Sequence, residues 1–338
     1  MPYTTIEIMG GLGNQLFQIF ALIAYSLHHK TPFYFSAEPI QHGQRKQTYW
    51  QTPLLQSLQP FVKAPPTLKP PSLLHERGFH YNPLPFYQQL HAMPIHVKLF
   101  GYFQSYKYFQ DQQAQIYKLL RLPQTQAQVK AQTEDKYDYT NMISLHFRVG
   151  DYVNLPECHP LMPLAYYKEA LTRFLHDQNP ALCETLEEAK QCQTPWQILY
   201  FCEENDQTYV ETQFIKPLQA HPPFQGKFRF QCIDHRLADW EQVIVMSLCQ
   251  HHIIANSTFS WWGAYLLGGT PLGAASPTTP TSASAENGGV GLTQNGGVGL
   301  LCRGASPQVY YPSIWFGTAF VDKNTADLFP PYWQKINI

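Results

Sequence analysis

The polar and apolar positions of the first thirty residues change period once. "YTTIEI" is a short β-prone run, "MGGLG" a glycine-rich turn, and "LFQIFALIAYSL" a long apolar segment closed by His28, His29 and Lys30. This predicts a strand, a tight turn and a buried helix whose basic last turn suits the helix C-terminus. Between Thr52 and Pro94 prolines recur, which disfavours long helices and predicts an irregular, packed excursion. A helix is expected after "GYFQSYKYF" (Gly101 to Phe109), running through Leu122. The polar "PQTQAQVKAQTEDKYDYTN" that follows reads as a linker between an N-terminal α/β domain over 1–135 and a C-terminal α/β domain over 141–338.

From Met142 onward the pattern is regular. "ISLHF", "QILYFC", "KFRFQCI" and "HIIA" read as strands. "PLAYYKEALTRFLHD" reads as a helix beginning at Pro163, with Leu164, Tyr167, Leu171 and Phe174 at helical spacing, and "DWEQVIVMSLCQ" as a second. Strands alternating with helices imply a parallel sheet covered on both faces, whose ligands gather at the carboxyl ends of the strands. From Gly268 to Pro307 the chain is rich in Gly, Ser, Thr, Ala and Pro, with "NGGVGL" at Asn287 and again at Asn295. Such composition predicts a flexible insertion.

Composition narrows the function. With 338 residues two domains are expected, and 23 basic against 24 acidic residues, a net charge of -1, leave no footprint for nucleic acid. Phosphate binding must then be local. Seven cysteines without a C-x-x-C pair indicate reduced thiols rather than a disulfide framework or a zinc ribbon. The apolar run from Ile19 to Leu27 is too short to span a bilayer and lacks the flanks of a signal peptide, so a soluble cytoplasmic protein without a transmembrane anchor is expected.

Three stretches carry candidate chemistry. In "GGLGNQ", Gly10 to Gln15, the last glycine of a dinucleotide fingerprint is replaced by Leu16; what remains is a strand-to-helix turn that caps the helix or presents Gly11 and Asn14 to a ligand. In "HFRVGD", His146 and Arg148 share one side of the strand if Ile143, Leu145 and Phe147 face the other. Arg148 then offers a fork for phosphate and Asp151 a charge to orient it; the alternative is a local ion pair. In "ANSTFSWWGAYL", Asn256, Ser257, Thr258 and Ser260 precede or open a helix, either as an ordinary cap or as an anion site, while Trp261 and Trp262 read as packing residues. The histidines are scattered, and no H-E-x-x-H or D-x-D stretch occurs, so no metal site is expected. Arg148 and a helix dipole without metal suit transfer from a nucleoside diphosphate.

Four segments, "GGLGNQLFQ", "GYFQSYKYF", "HFRVGDY" and "MSLCQHHIIANSTFSWWGAYL", resemble in this order the α-1,2-fucosyltransferases of glycosyltransferase family eleven, and "NTADLFPPYW" resembles that family's closing segment. The resemblance implies a GT-B-like fold, two Rossmann-like domains facing a central cleft. It implies inverting, metal-independent transfer of fucose from GDP-β-L-fucose, as substrate and with no cofactor, to the 2-hydroxyl of a terminal galactose in a β-galactoside acceptor glycan. Arg148 would grip the diphosphate and His146 approach the nucleoside. Asn256, Ser257, Thr258, Phe259 and Ser260 would form the phosphate-side loop, and Gly11 and Asn14 would line the cleft. The family often carries a second arginine where this chain has Val149. Candidate bases are Asp151, Glu157 and His159. Rival readings are an O-fucosyltransferase with a different acceptor and a noncatalytic nucleotide-sugar-binding protein.

Overall fold

The computed structural model describes residues 3–40, 46–64, 71–85, 96–178, 195–267 and 307–338. The stretch read as a flexible insertion lies outside them from 268 to 306, as do Cys183, Cys192 and Cys302.

The opening pattern folds as it reads: β1 spans Thr4–Ile6 and α1 spans Leu12–His29. Two short strands, β2 (Phe35–Ser36) and β3 (Val62–Lys63), pair with each other in parallel. The strands β4 (Ser72–His75) and β5 (Val97–Phe100) join β1 in a parallel sheet of order β1-β5-β4. After it come α2 (Gln113–Leu120) and α3 (Leu122–Thr133).

The second half forms one six-stranded sheet. Its strands are β6 (Met142–His146), β7 (Trp196–Phe201), β8 (Phe228–Cys232), β9 (His251–Ile253), β10 (Val309–Pro312) and β11 (Gln334–Ile336). They lie in the order β11-β10-β9-β6-β7-β8, every pair parallel. Helix α4 (Leu164–Asp177) lays Tyr166, Tyr167, Ala170, Leu171 and Phe174 against Ile143, Leu145 and Ile198 on one face. Helices α5 (Asp239–Leu248) and α6 (Thr258–Tyr265) cover the other. Because both faces are covered, all five residues of β6 are buried and the strand needs no polar alternation. The α/β architecture with parallel sheets is therefore as expected.

Helix α1 is apolar nearly all round, and the fold shows why. It sits in one continuous core with β1 on one side and α6 on the other. Phe17 lies 4.4 Å from Trp261 and Phe20 4.4 Å from Trp262, ring centre to ring centre. Both tryptophans are fully buried, and Trp261 Nε1 donates to the Leu328 carbonyl at 3.0 Å, so they are packing residues.

The polar stretch read as a linker is helical as far as Thr133. Pro123 occupies the first turn of α3, and Leu122, Thr125, Gln126, Val129 and Thr133 form its buried stripe. Gln126 Nε2 donates to Ser247 Oγ and to the Leu266 carbonyl, both at 2.9 Å. Amide and hydroxyl groups replace aliphatic ones on this stripe, so hydrophobic periodicity hides it. Strands β10 and β11 are too short to show a period at all. Among the described residues no helix is long and apolar enough to cross a membrane.

Candidate active site

The carboxyl ends of β6 and β7, the N-terminus of α1 and the N-terminus of α6 open onto one cleft of about 720 Å³. Such a volume is ordinary for a small-molecule site. It lies at the strand ends, where parallel α/β sheets place ligands.

The glycine turn builds one wall. Gly10 has φ +78°, where a side chain would be strained and its Cβ would stand 2.7 Å from Asn14 Nδ2. Gln15 Nε2 donates to the carbonyls of Gly10 and Gln47, at 2.9 and 2.8 Å, and so braces the turn. Gly11 is the N-cap of α1 without a side-chain acceptor, so the first amides of the helix meet the cleft uncapped by any side chain. Asn14 lines the cleft and its Oδ1 accepts from Gln104 Nε2 at 3.0 Å. Gly13 brings the two halves together: a Cβ on it would lie 2.6 Å from the Thr258 carbonyl carbon and from Thr258 Oγ1.

The opposite wall is the end of β6. Ile143, Leu145, Phe147 and Val149 all point into the core beneath α4, which sends His146 and Arg148 to the other side. Val149 is thus a packing residue, and Arg148 carries the guanidinium at this strand end. The Arg148 side chain is 15% exposed and pairs with both Asp151 and Glu203. Its Cζ lies 5.0 Å from the centre of the Tyr152 ring. Burial works against its charge, but Asp151, Tyr152 and Glu203 outweigh burial and raise its pKa. His146 is buried, and desolvation with Arg148 nearby pushes its pKa down to about 3, so the ring is neutral. Among the described residues its Nδ1 has no hydrogen-bond partner, and its ring lies 5.6 Å from that of Phe259.

The third wall is the start of α6. Ser257 is the N-cap, its Oγ accepting from the Phe259 amide at 3.3 Å, and Asn256, Ser257, Thr258 and Phe259 line the cleft. Asn256 differs from the expectation in that its Nδ2 is spent on the carbonyls of Pro160 (2.9 Å) and Trp315 (3.3 Å), making it a clamp between segments. Ser260 does not reach the cleft. Its fully buried hydroxyl donates to the carbonyls of Ala255 and Ser257, as helix serines do when they face the preceding turn.

The candidate bases separate. Asp151 is ion-paired to Arg148. Glu157 is outside the cleft: its carboxylate accepts from the Thr318 hydroxyl at 2.8 Å and it borders a different hollow. His159 lines the cleft, stacked on Tyr152 with ring centres 4.7 Å apart. Burial and Arg148 hold its pKa below the usual histidine value, against the pull of Asp151.

Sequence reasoning missed Glu203, Tyr152 and Gly13. Only the pairing of the strands could have pointed to Glu203. In the register of β6 on β7, His146 stands opposite Phe201, and two residues further along each strand come Arg148 and Glu203.

The O-antigen biosynthesis glycosyltransferase WbnK of Escherichia coli is 27% identical over 195 residues, 54% of this chain and 55% of that protein. An α-1,2-colitosyltransferase of Escherichia coli is 25% identical over 182 residues, 52% of this chain and 53% of that protein. The chain thus spans about half the length of the curated relatives it matches. Among solved structures, an arginine-to-lysine variant of FUT1 from Arabidopsis thaliana in complex with GDP aligns with 78% of this chain and 67% of its own, at 13% identity and a TM-score of 0.41. The fucosyltransferase NodZ from Bradyrhizobium aligns with 79% and 93%, at 11% identity and a TM-score of 0.37. The model of glycosyl transferase family 11 matches residues 225–288, and it is the family that the motifs of this chain resemble.

Proposed function

We propose that this protein is a galactoside α-1,2-fucosyltransferase, moving L-fucose from GDP-β-L-fucose to the 2-hydroxyl of a terminal galactose without metal or cofactor. The observation that carries the reading is the convergence of Arg148 and the N-termini of α1 and α6 on one cleft. Three sources of positive potential bordering one cleft suit a diphosphate leaving group. Asp151 and Glu203 hold the guanidinium fork until the diphosphate competes for it.

In the reaction the bond from sugar C1 to the β-phosphate oxygen breaks and its electron pair stays on the departing GDP, where Arg148 and the helix amides stabilise the charge. The acceptor oxygen bonds to C1 from the opposite face, so β becomes α in one displacement. The acceptor proton passes to His159, which lines the cleft and whose lowered pKa, from burial and Arg148, favours the neutral ring. His146, neutral and with an Nδ1 unpartnered among the described residues, faces Phe259 beside the nucleoside end.

The similarity to an α-1,2-colitosyltransferase supports a second transferred sugar, colitose, which is fucose lacking the 3-hydroxyl. Incubation with each donor and a panel of β-galactosides, with the product linkage read by NMR, decides between them. A fucosyl α-1,2-galactose product is expected. Transfer to a different hydroxyl or acceptor class would replace it with the O-fucosyltransferase reading, and GDP binding without turnover on any acceptor would leave a nucleotide-sugar-binding protein.

A further inference from the structure

At the edge of the cleft the large sheet sets two cysteines beside a histidine. Tyr200 on β7 is the register partner of Cys232 on β8, so Cys202, two residues past Tyr200, leaves the sheet next to Cys232. The turn after β8 then folds His235 back, with its Nε2 3.5 Å from Cys232 Sγ. The two sulfurs and an imidazole nitrogen all lie within 4.8 Å of one another. A tetrahedral zinc ion, with bonds of about 2.3 Å to sulfur and about 2.0 Å to nitrogen, sets its ligands about 3.5 Å apart from sulfur to nitrogen and about 3.8 Å from sulfur to sulfur. The Cys232–His235 separation already matches the sulfur-to-nitrogen value, and the remaining pairs lie within about 1 Å of theirs. Two thiolates and an imidazole form a soft donor set, which selects zinc over magnesium or calcium.

We propose that Cys202, Cys232 and His235 form a binding site for a thiophilic divalent cation, Zn²⁺, in the wall of the cleft. Each thiol that binds gives its proton to solvent and its sulfur lone pair to the ion. Three protein ligands leave a tetrahedral ion a fourth position for water, and the ion takes no part in the transfer proposed above. In the sequence Cys232 and His235 form a bare C-x-x-H pair, and Cys202, just past the end of β7, joins them only through the pairing of β7 with β8. The site stands independently of the fucosyltransferase reading.

The test is titration of the chelator-washed full chain with Co²⁺, followed by Zn²⁺ displacement. One equivalent of Co²⁺ should produce a near-ultraviolet sulfur-to-cobalt charge-transfer band with intense visible bands of a tetrahedral ion, and Zn²⁺ should abolish them. Cys232→Ser should at least halve the charge-transfer intensity, and His235→Ala should weaken binding by about 10- to 100-fold or more. His235 lies in a turn outside both core clusters, so its variant keeps the fold even if Cys232→Ser does not. Cys158→Ser should leave the titration unchanged. No band in the wild-type chain, or a band of equal strength in both the Cys232 and His235 variants, overturns the proposal.

Discussion

The Arg148 guanidinium is ion-paired to Glu203, 55 residues further along the chain at the end of the neighbouring strand. With Asp151 on its other amino group, the fork is fixed from two sides before any ligand arrives. A fork held this way is preorganised for a diphosphate, and only the arrival of a stronger anion needs to loosen it.

Arg148→Ala should therefore lower kcat by about 10²–10³-fold, in the range seen when one electrostatic stabiliser is removed. The circular dichroism spectrum should not change. Arg148→Lys should fail to restore turnover, because a lysine cannot reproduce a planar fork between two carboxylates. Near-normal kcat in either variant would remove Arg148 from the mechanism.

Asp151→Asn and Glu203→Gln should each reduce kcat while leaving the thermal midpoint within a degree or two of wild type, as expected for half-exposed carboxylates. Since both act through the same guanidinium, their effects should not add. A double-mutant cycle on kcat/KM measures this, and strictly additive losses would mean that the two acids act separately.

Gly13→Ala places a methyl group 2.6 Å from backbone and side-chain atoms of Thr258. In an open helix the change would gain about 1 kcal/mol in helix propensity. Here the overlap should reverse the sign and cost about 1–3 kcal/mol. GDP affinity should fall as well, because the displaced helix start is a wall of the cleft. Denaturant melts and GDP titration measure the two effects.

If His159 takes the acceptor proton, kcat/KM should fall on the acid side with an apparent pKa below about 6.5, the ordinary histidine value. Burial and Arg148 set that direction by disfavouring the imidazolium. His159→Gln should lose this limb of the profile along with most of the rate. An unchanged acid limb would assign the proton to another group.

Stability should fall in acid for a separate reason. His146, His251 and His252 are buried and neutral, with pKa values pushed down to about 3, chiefly by desolvation. The unfolded chain takes up protons on these rings near pH 6.5, whereas the folded chain does not. Their contribution is therefore complete above about pH 6.5 and is lost as the pH falls toward 3, by about 1.4 kcal/mol per pH unit for each ring. Thermal melts between pH 7 and 5 should show a steep decline, and His252→Gln should flatten it.

Much of this molecule follows from local pattern. The strand, turn and helix of residues 3–30, the strands around Ile143, Ile198, Phe230 and Ile253, and the helices at Leu164 and Asp239 are each dictated by apolar periodicity acting over a few residues. The placement of His146 and Arg148 opposite Ile143, Leu145 and Phe147 follows from the two-residue period of a strand. Other features depend on neighbours that no local window contains. Helix α3 is stabilised by amide and hydroxyl contacts to Ser247 and Leu266, so its polarity imitates a linker. Ser260 and Asn256 share a polar motif with Ser257 and Thr258, yet helix phase turns the first inward and two distant carbonyls engage the second. Glu203 meets Arg148, and His235 meets Cys202 and Cys232, only because β6, β7 and β8 pair in a particular register. The sequence alone determined which residues could bear charge, pack or turn. Tertiary structure decided which of them face the same cleft, because parallel pairing joins strand ends that the chain keeps far apart.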